Sequence, residues 1–227
     1  MADPADSTDL DPIAAARQHM VDSQVRPNKV NDVRILDAMR TLPRERFLPA
    51  SRLALAYADE DVPLGNGRYM IEPMVIARMI QTAEPVAGSR ALVVASGTGY
   101  GAAVLALCGC RVTALEEDAG LAAMARDALM ESAPSVSLVS GPLSAGWAAG
   151  APYDLILIEG GVTEIPAALA EQLRNDGGRL IAVIRGTGPT GYAVLAEATP
   201  VGLSIQPVFD CATPALPSLL PAPAFQF

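Results

Sequence analysis

The chain has 227 residues, 51% of them hydrophobic, and a formal net charge of −9 at pH 7. This length and apolar content fit one large α/β domain with a terminal extension. A negative chain without clustered lysine and arginine lacks a nucleic-acid-binding surface, so we expect no nucleic acid partner. The acidic start and the lack of an apolar run approaching roughly 18 residues predict a cytoplasmic protein without a membrane partner.

His19 is the only histidine, and the three cysteines have no zinc-binding spacing. Mechanisms that need a Ser-His or Cys-His pair are therefore excluded unless His19 serves, and we interpret His19 as structural. We predict no metal site, and we expect the cysteines to be reduced thiols.

The N-terminal part is predicted to be an acidic arm followed by helices. Residues 1–12 hold four aspartates and two prolines without hydrophobic periodicity, which predicts disorder. Amphipathic spacing predicts one helix over Ile13 to Val25 and a second that begins after Asn31 as N-cap and ends before Pro43. We interpret residues 13–227 as one domain, with an N-terminal helical extension over 13–88, a core over 89–209 and a proline-rich tail over 210–227.

A buried strand, a glycine turn and a helix are predicted over residues 91–106. The apolar run from Ala91 to Ala95 is typical of a parallel strand covered on both faces. Gly97, Gly99 and Gly101 follow it; glycines permit positive φ and a close approach of the backbone to a ligand. The helix N-terminus that comes next offers free N–H groups, so this turn predicts a ligand site.

The next strand adds an acidic residue to this site. Val112 to Leu115 is predicted as a strand, and Glu116 stands at its carboxyl end, where a carboxylate can accept hydrogen bonds from ribose hydroxyls. Gly97-x-Gly99-x-x-Ala102 also satisfies the dinucleotide fingerprint. Because NAD and S-adenosylmethionine both present a ribose, these residues alone leave both cofactors open.

Helices and strands continue to alternate after Glu116, which predicts an α/β fold with a doubly wound, mostly parallel sheet. Glu159 ends a buried strand on the side where ligands bind, ahead of Gly160 and Gly161. The predicted elements are a helix over Leu121 to Met130, strands over Val136 to Val139 and Tyr153 to Glu159, a helix over Pro166 to Arg174, a strand over Arg179 to Ile184, and an antiparallel pair over Tyr192 to Ala196 and Ser204 to Phe209. The tail is too apolar for a solvated linker, so we expect it to pack along the domain or a second subunit.

One ordered set of motifs extends over roughly Val21 to Ile184. The first group comprises Val21 to Arg26, Ile35 to Met39, Pro43 to Pro49, Ala56, Tyr57, Asp59 and Pro73. The second comprises Gly97, Gly99, Tyr100, Glu116, Gly146, Trp147, Ala151 to Asp154, Ile165, Pro166, Glu171 to Leu173 and Gly177 to Leu180. In this order the motifs resemble those of the protein-L-isoaspartate O-methyltransferases.

The resemblance implies a seven-stranded Rossmann-like methyltransferase sheet, S-adenosylmethionine as cofactor, and a protein or peptide substrate with an isoaspartyl or other carboxylate. It makes no prediction about oligomeric state. Ile71, in the place of a family serine, and Pro73 are assigned to the catalytic side. The implied cofactor residues are Ala95, Ser96, Gly97, Thr98, Gly99, Tyr100, Glu116, Glu117, Gly141, Pro142, Leu143 and Glu159. Methyl transfer to an ionised carboxylate needs no general base, which suits a chain with one histidine.

Several residues depart from the family pattern. Val93 replaces an acid, Ala95 replaces a glycine, and Pro142 replaces an aspartate that meets the adenine; together they predict weakened cofactor binding. Ile71 lacks the hydroxyl that would face the acceptor, which predicts poor turnover of isoaspartyl peptides. Two functions remain open: a carboxyl methyltransferase with an altered or weakened acceptor site, or a catalytically degenerate protein of this fold that binds a ligand or partner.

Overall fold

The computed structural model describes residues 11–186, 188 and 190–221. Most of the predicted acidic arm, residues 1–10, and the end of the predicted tail, residues 222–227, lie outside the described residues. Asp11 and Pro12, which the sequence assigned to the arm, belong to the first helix. The Asp11 carboxylate accepts a hydrogen bond from the Ile13 N–H and caps that helix.

Three helices and one hairpin form the N-terminal extension. The helices are α1 (Pro12–Met20), α2 (Val33–Thr41) and α3 (Pro73–Thr82), and the hairpin strands are β1 (Val62–Gly65) and β2 (Arg68–Met70). α1 continues into a π-helical turn over Val21–Val25, so the predicted helix changes its hydrogen-bond pattern after Met20. The N-cap of α2 is Asp32 and not Asn31, because the Asp32 carboxylate accepts from the Arg34 N–H while the Asn31 N–H donates to Gln81.

The core is a seven-stranded sheet, as predicted, and its strand order is β5-β4-β3-β6-β7-β8-β9. Its strands are β3 (Arg90–Val94), β4 (Arg111–Glu116), β5 (Ser137–Ser140), β6 (Leu155–Val162), β7 (Arg179–Arg185), β8 (Gly191–Thr199) and β9 (Gly202–Cys211). The first five run parallel, and β8 and β9 are antiparallel to their neighbours. The core helices are α4 (Tyr100–Leu107), α5 (Ala119–Ser132) and α6 (Ala167–Ala170).

Alternate side chains of the buried strands enter two separate cores, as the period of a strand requires. Ala91 and Val93 of β3 pack with the N-terminal helices, α4 and α5. Leu92 and Val94 face the other side, where α6 and part of the tail cover the sheet. Both faces of the central strands are therefore shielded from water, which explains their continuous apolar sequence.

The predicted helix over Pro166 to Arg174 is much shorter than expected. Only Ala167–Ala170 is α-helical, because the following residues hydrogen-bond to the start of β6 instead. The Tyr153 N–H donates to the Gln172 carbonyl, and the Arg174 N–H donates to the Tyr153 carbonyl.

Candidate functional site

The glycine loop lies where the order of the sheet reverses. β3 pairs with β4 on one side and with β6 on the other, and the chain leaves β3 for α4 between them. Ligands of open α/β sheets bind in this crevice at the carboxyl ends of the strands. The loop follows Val94 and ends at Gly99, which has a φ of 95° and precedes the first residue of α4.

Left-handed backbone conformations shape this loop. Gly97 has a φ of 57°, a conformation that glycine adopts without steric cost. Ala95, in the place of a family glycine, has a φ of 60° and so carries a side chain in the same region. The loop therefore keeps the backbone path expected from the sequence, although one of its residues is under strain.

Glu116 ends β4 beside this loop and is 0% exposed. Its Oε2 accepts a hydrogen bond from the Gly97 N–H at 2.7 Å, while Oε1 accepts from the Glu117 and Asp118 N–H groups at 3.0 and 2.9 Å. These bonds fix the carboxylate at the crevice, where the sequence predicted it. Three backbone donors also satisfy a buried negative charge without help from water.

Both oxygens of Glu116 also bind an arginine that the sequence analysis did not single out. Arg68 donates from Nη1 to Oε1 at 2.7 Å and from Nη2 to Oε2 at 2.9 Å, and this Nη2 also reaches the Ala95 carbonyl at 2.9 Å. The pair is buried, with 6% of the Arg68 side chain and none of the Glu116 side chain exposed. Arg68 thus joins the hairpin to the ends of β3 and β4.

Glu159 approaches the loop from β6. A Cβ placed on Gly101 would lie only 2.1 Å from the Glu159 Oε1, so the carboxyl group occupies space that a glycine leaves free. This Oε1 has no hydrogen-bond partner among the described residues. Burial raises the pKa of Glu159 to about 8, although Arg68 and Arg44 act in the opposite direction. The group is therefore largely protonated at pH 7.

Pro73 begins α3, and Ile71 lies two residues before it. The Ile71 side chain is 2% exposed and belongs to the hydrophobic core, and Pro73 is the first residue of the helix. The fully buried Arg44 donates to the carbonyls of Ala56 and Ile71 at 2.9 and 2.7 Å. Its guanidinium carbon lies 4.5 Å from the centre of the Tyr100 ring. This arrangement holds Ile71 in position.

Acidic side chains surround the entry to α3. The Glu72 N–H donates to Asp61 at 2.9 Å. Burial, with a contribution from the charges of Asp61 and Asp59, raises the pKa of Glu72 to about 7. A substrate carboxylate that approaches Ile71 from this side meets negative charge.

The predicted adenine segment follows β5. Pro142 is exposed, whereas Leu143 is buried and begins a 3₁₀ turn over Leu143–Ala145. Gly141 faces Leu115 and Trp147, and Glu117 points to solvent. Among the residues of the sequence prediction, Glu117 and Pro142 therefore lie at the rim of the site and the glycine loop lies inside it.

The tail crosses the same edge of the sheet, which the sequence did not specify. The Gly161 N–H donates to the Pro214 carbonyl, and the Leu216 N–H donates to the Gly161 carbonyl, both at 2.8 Å. Leu216 covers Gly160 so closely that a Cβ there would lie 2.5 Å from the Leu216 Cγ. This contact explains why glycine follows Glu159.

All residues from Ala95 to Gly101, which comprise the loop and the first two residues of α4, are buried. Leu64 of the hairpin lies over Gly97, where a Cβ would come within 3.2 Å of its side chain. Arg68 takes the ribose acceptors of Glu116 and Leu64 covers the loop, so S-adenosylmethionine fits this crevice only after these contacts have opened. The backbone path and the position of Glu116 match the expected site, but the space beside them is filled.

A loop at the switch point with an acid ending the neighbouring strand is the geometry of a nucleotide-cofactor site in an open α/β sheet, and the family match assigns the chain to the class I S-adenosylmethionine-dependent methyltransferases. The model of the protein-L-isoaspartate(D-aspartate) O-methyltransferase family matches residues 15–196. The chain belongs to this family, as the sequence analysis predicted.

Relatives agree with this assignment, and a solved structure agrees with the fold. The protein-L-isoaspartate O-methyltransferase of Methylorubrum populi is 40% identical over 82% of this chain and 85% of its own length. That of Koribacter versatilis is 39% identical, over 78% and 80% of the two chains. A solved structure from Plasmodium falciparum, described as a putative enzyme of this kind in complex with S-adenosyl-L-homocysteine, has a TM-score of 0.74 at 19% identity, covering 89% of this chain and 98% of its own.

Other sequence predictions concern the rest of the molecule. His19 is exposed on α1, and the three cysteines are free and buried. Within the part of the chain that the structure describes, no helix has both the length and the apolar character needed to cross a bilayer.

Proposed function

We propose that this chain methylates carboxylates of proteins or peptides in the cytoplasm and uses isoaspartyl residues poorly. Family membership supports the reaction class. The altered acceptor site is supported by one observation: Ile71 is buried in the core at the position where the resemblance places a serine hydroxyl. Without that donor, an entering carboxylate loses part of its hydration without replacement.

The surroundings of Ile71 support the same proposal. The fully buried Arg44 donates to the main-chain carbonyls of Ala56 and Ile71, so two of its donor groups are already used. Glu72 and Asp61 also place carboxyl groups at the entry to α3, where the Glu72 N–H donates to Asp61. Burial raises the pKa of both groups, and the ionised fraction of each repels a carboxylate substrate.

A methyl-transfer assay on an isoaspartyl peptide tests the proposal. We expect weak turnover by the wild type and a gain of roughly ten- to a hundredfold in kcat/KM for Ile71→Ser, if its hydroxyl donates to the carboxylate in the transition state. Ile80→Ser is the control, since it also places a hydroxyl in the buried core, but near the C-terminal end of α3. Vigorous wild-type turnover, or an equal gain in the control, would refute the altered acceptor.

The covered loop favours a second candidate, a protein of this fold that binds a partner without catalysis. The chain itself buries all residues from Ala95 to Gly101, whereas a cofactor site leaves part of its loop for the cofactor to cover. If neither the wild type nor Ile71→Ser methylates isoaspartyl peptides, and both proteins are folded, the result would support this candidate over the first.

A further inference from the structure

We infer that Arg68 sets the affinity of the cofactor site, because it competes with the ribose of the ligand for Glu116. The inference rests on the proposed cofactor site but does not require turnover. Nothing in the family motifs points to an arginine in this role. It follows from the contacts that the two side chains make in the crevice.

The first step concerns the capacity of the carboxylate. Glu116 accepts five hydrogen bonds: two from Arg68 and three from the backbone N–H groups of Gly97, Glu117 and Asp118. A carboxylate offers about four lone-pair sites, so these donors already fill it. Ribose hydroxyls can donate to Glu116 only after a present donor has left.

The second step identifies which donor can leave. The backbone N–H groups belong to the glycine loop and to the turn before α5, so their loss would unfold the crevice itself. Arg68 lies at the start of the short strand β2 and reaches Glu116 through a flexible side chain. Its Nε has no hydrogen-bond partner among the described residues, an unfavourable state for a buried donor that lowers the cost of displacement.

The third step concerns the hairpin that carries Arg68. The Asn66 side-chain amide donates to the Asp118 carboxylate at 2.7 Å, and Pro217 of the tail lies against Gly67, where a Cβ would come within 2.9 Å. Three consecutive residues therefore hold the hairpin over the loop. When Arg68 departs, Leu64 of the same hairpin can also move away from Gly97.

The test is isothermal titration calorimetry with S-adenosylhomocysteine. Arg68→Gln removes the charge and two of the three donor nitrogens, while the three backbone bonds still satisfy Glu116. We expect this variant to bind at least about tenfold more tightly than the wild type, and Arg68→Lys to lie between the two. Adding Glu116→Gln to Arg68→Gln should abolish the gain.

Arg179→Gln is the matched control, because Arg179 also forms an ion pair, with Glu197 at 3.0 Å, but on β7 away from the loop. Its affinity should equal that of the wild type. Unchanged or weaker binding by a folded Arg68→Gln protein would overturn the inference. If that variant does not fold, Asn66→Ala, which loosens only the exposed hairpin tip, should tighten binding by a smaller factor; unchanged affinity there also overturns it.

Failure of this inference and failure of the proposed function can be told apart. Tight binding by Arg68→Gln without methyl transfer would support the role of Arg68 and refute the enzyme. Methyl transfer with identical affinities in wild type and variant would support the enzyme and refute the role of Arg68.

Discussion

Ala95 holds a left-handed conformation that its side chain disfavours. Its φ of 60° places the Cβ close to the following carbonyl oxygen, at a cost of about 1–2 kcal/mol for an L-residue. Glycine would remove this cost but would also increase the entropy of the unfolded chain. The fold tolerates alanine here because the loop is fixed. Arg68 donates to the Ala95 carbonyl, and the loop leads into α4.

We therefore expect Ala95→Gly to raise the free energy of unfolding by up to about 1 kcal/mol, the balance of these two effects. Urea-induced unfolding measures it. Ala91→Gly in the same chain segment is the control, because Ala91 is part of β3 without a positive φ; it should lower the stability by about 1 kcal/mol. A loss of stability in Ala95→Gly as large as in the control would show that strain at this residue is unimportant.

At the level of elements, the tail packs against β6 at Gly160, where the strand has no side chain. Leu216 is buried over Gly160, and Gly160→Ala would push a methyl group into it. We expect Gly160→Ala to cost about 1–3 kcal/mol by overpacking and Leu216→Ala to cost about 2–5 kcal/mol. The double variant should be more stable than the sum predicts, by at least about 1 kcal/mol, when unfolding is measured as a double-mutant cycle.

The control for this cycle is Gly177→Ala. Gly177 also has a positive φ, of 74°, but nothing lies within 4 Å of the position of its Cβ. Its substitution therefore introduces backbone strain without a clash. Combined with Leu216→Ala it should be additive, whereas additivity in the Gly160 cycle would disprove the steric account.

The central strands and the glycine loop could be predicted from sequence because their signals are local. A continuous apolar run requires burial on both faces, and closely spaced glycines require an unusual backbone. The hairpin gives a weaker local signal in Asn66 and Gly67, a common hairpin turn whose residues have φ angles of 51° and 71°.

The contacts that close the site could not be predicted in the same way. Arg68 meets Glu116, and Leu216 meets Gly160, only after distant parts of the chain have come together. An arginine after a turn is usually solvated, and no spacing rule links it to an acid on another strand. The resemblance predicts a site at the glycine loop, but it does not reveal the side chains that fill the space beside that loop.

The stability of the whole molecule should depend on pH through Glu159. Its pKa is raised to about 8 in the folded chain, above an ordinary value of 4.5, because burial penalises the charged form. Between these values the folded state keeps a proton that the unfolded state has lost. Stability therefore falls as the pH rises from about 5 to about 8, by up to about 1.4 kcal/mol per pH unit.

Glu159→Gln removes this titration while keeping the shape of the side chain. We expect the variant to lose less stability than the wild type between about pH 5 and pH 8, as measured by urea unfolding at several pH values. Glu72, whose pKa is raised to about 7, contributes in both proteins and cancels in the comparison. Parallel pH profiles would show that Glu159 is ionised in the folded state.

The contact between Pro217 and the hairpin turn has a consequence for biosynthesis. It joins one of the last residues that the structure describes to a turn made early in translation. Contacts between such distant residues form late, since the loop that they close must first be ordered. The nascent chain therefore emerges from the ribosome before the tail covers the hairpin turn, because Pro217 can pack against Gly67 only after residue 217 has been translated.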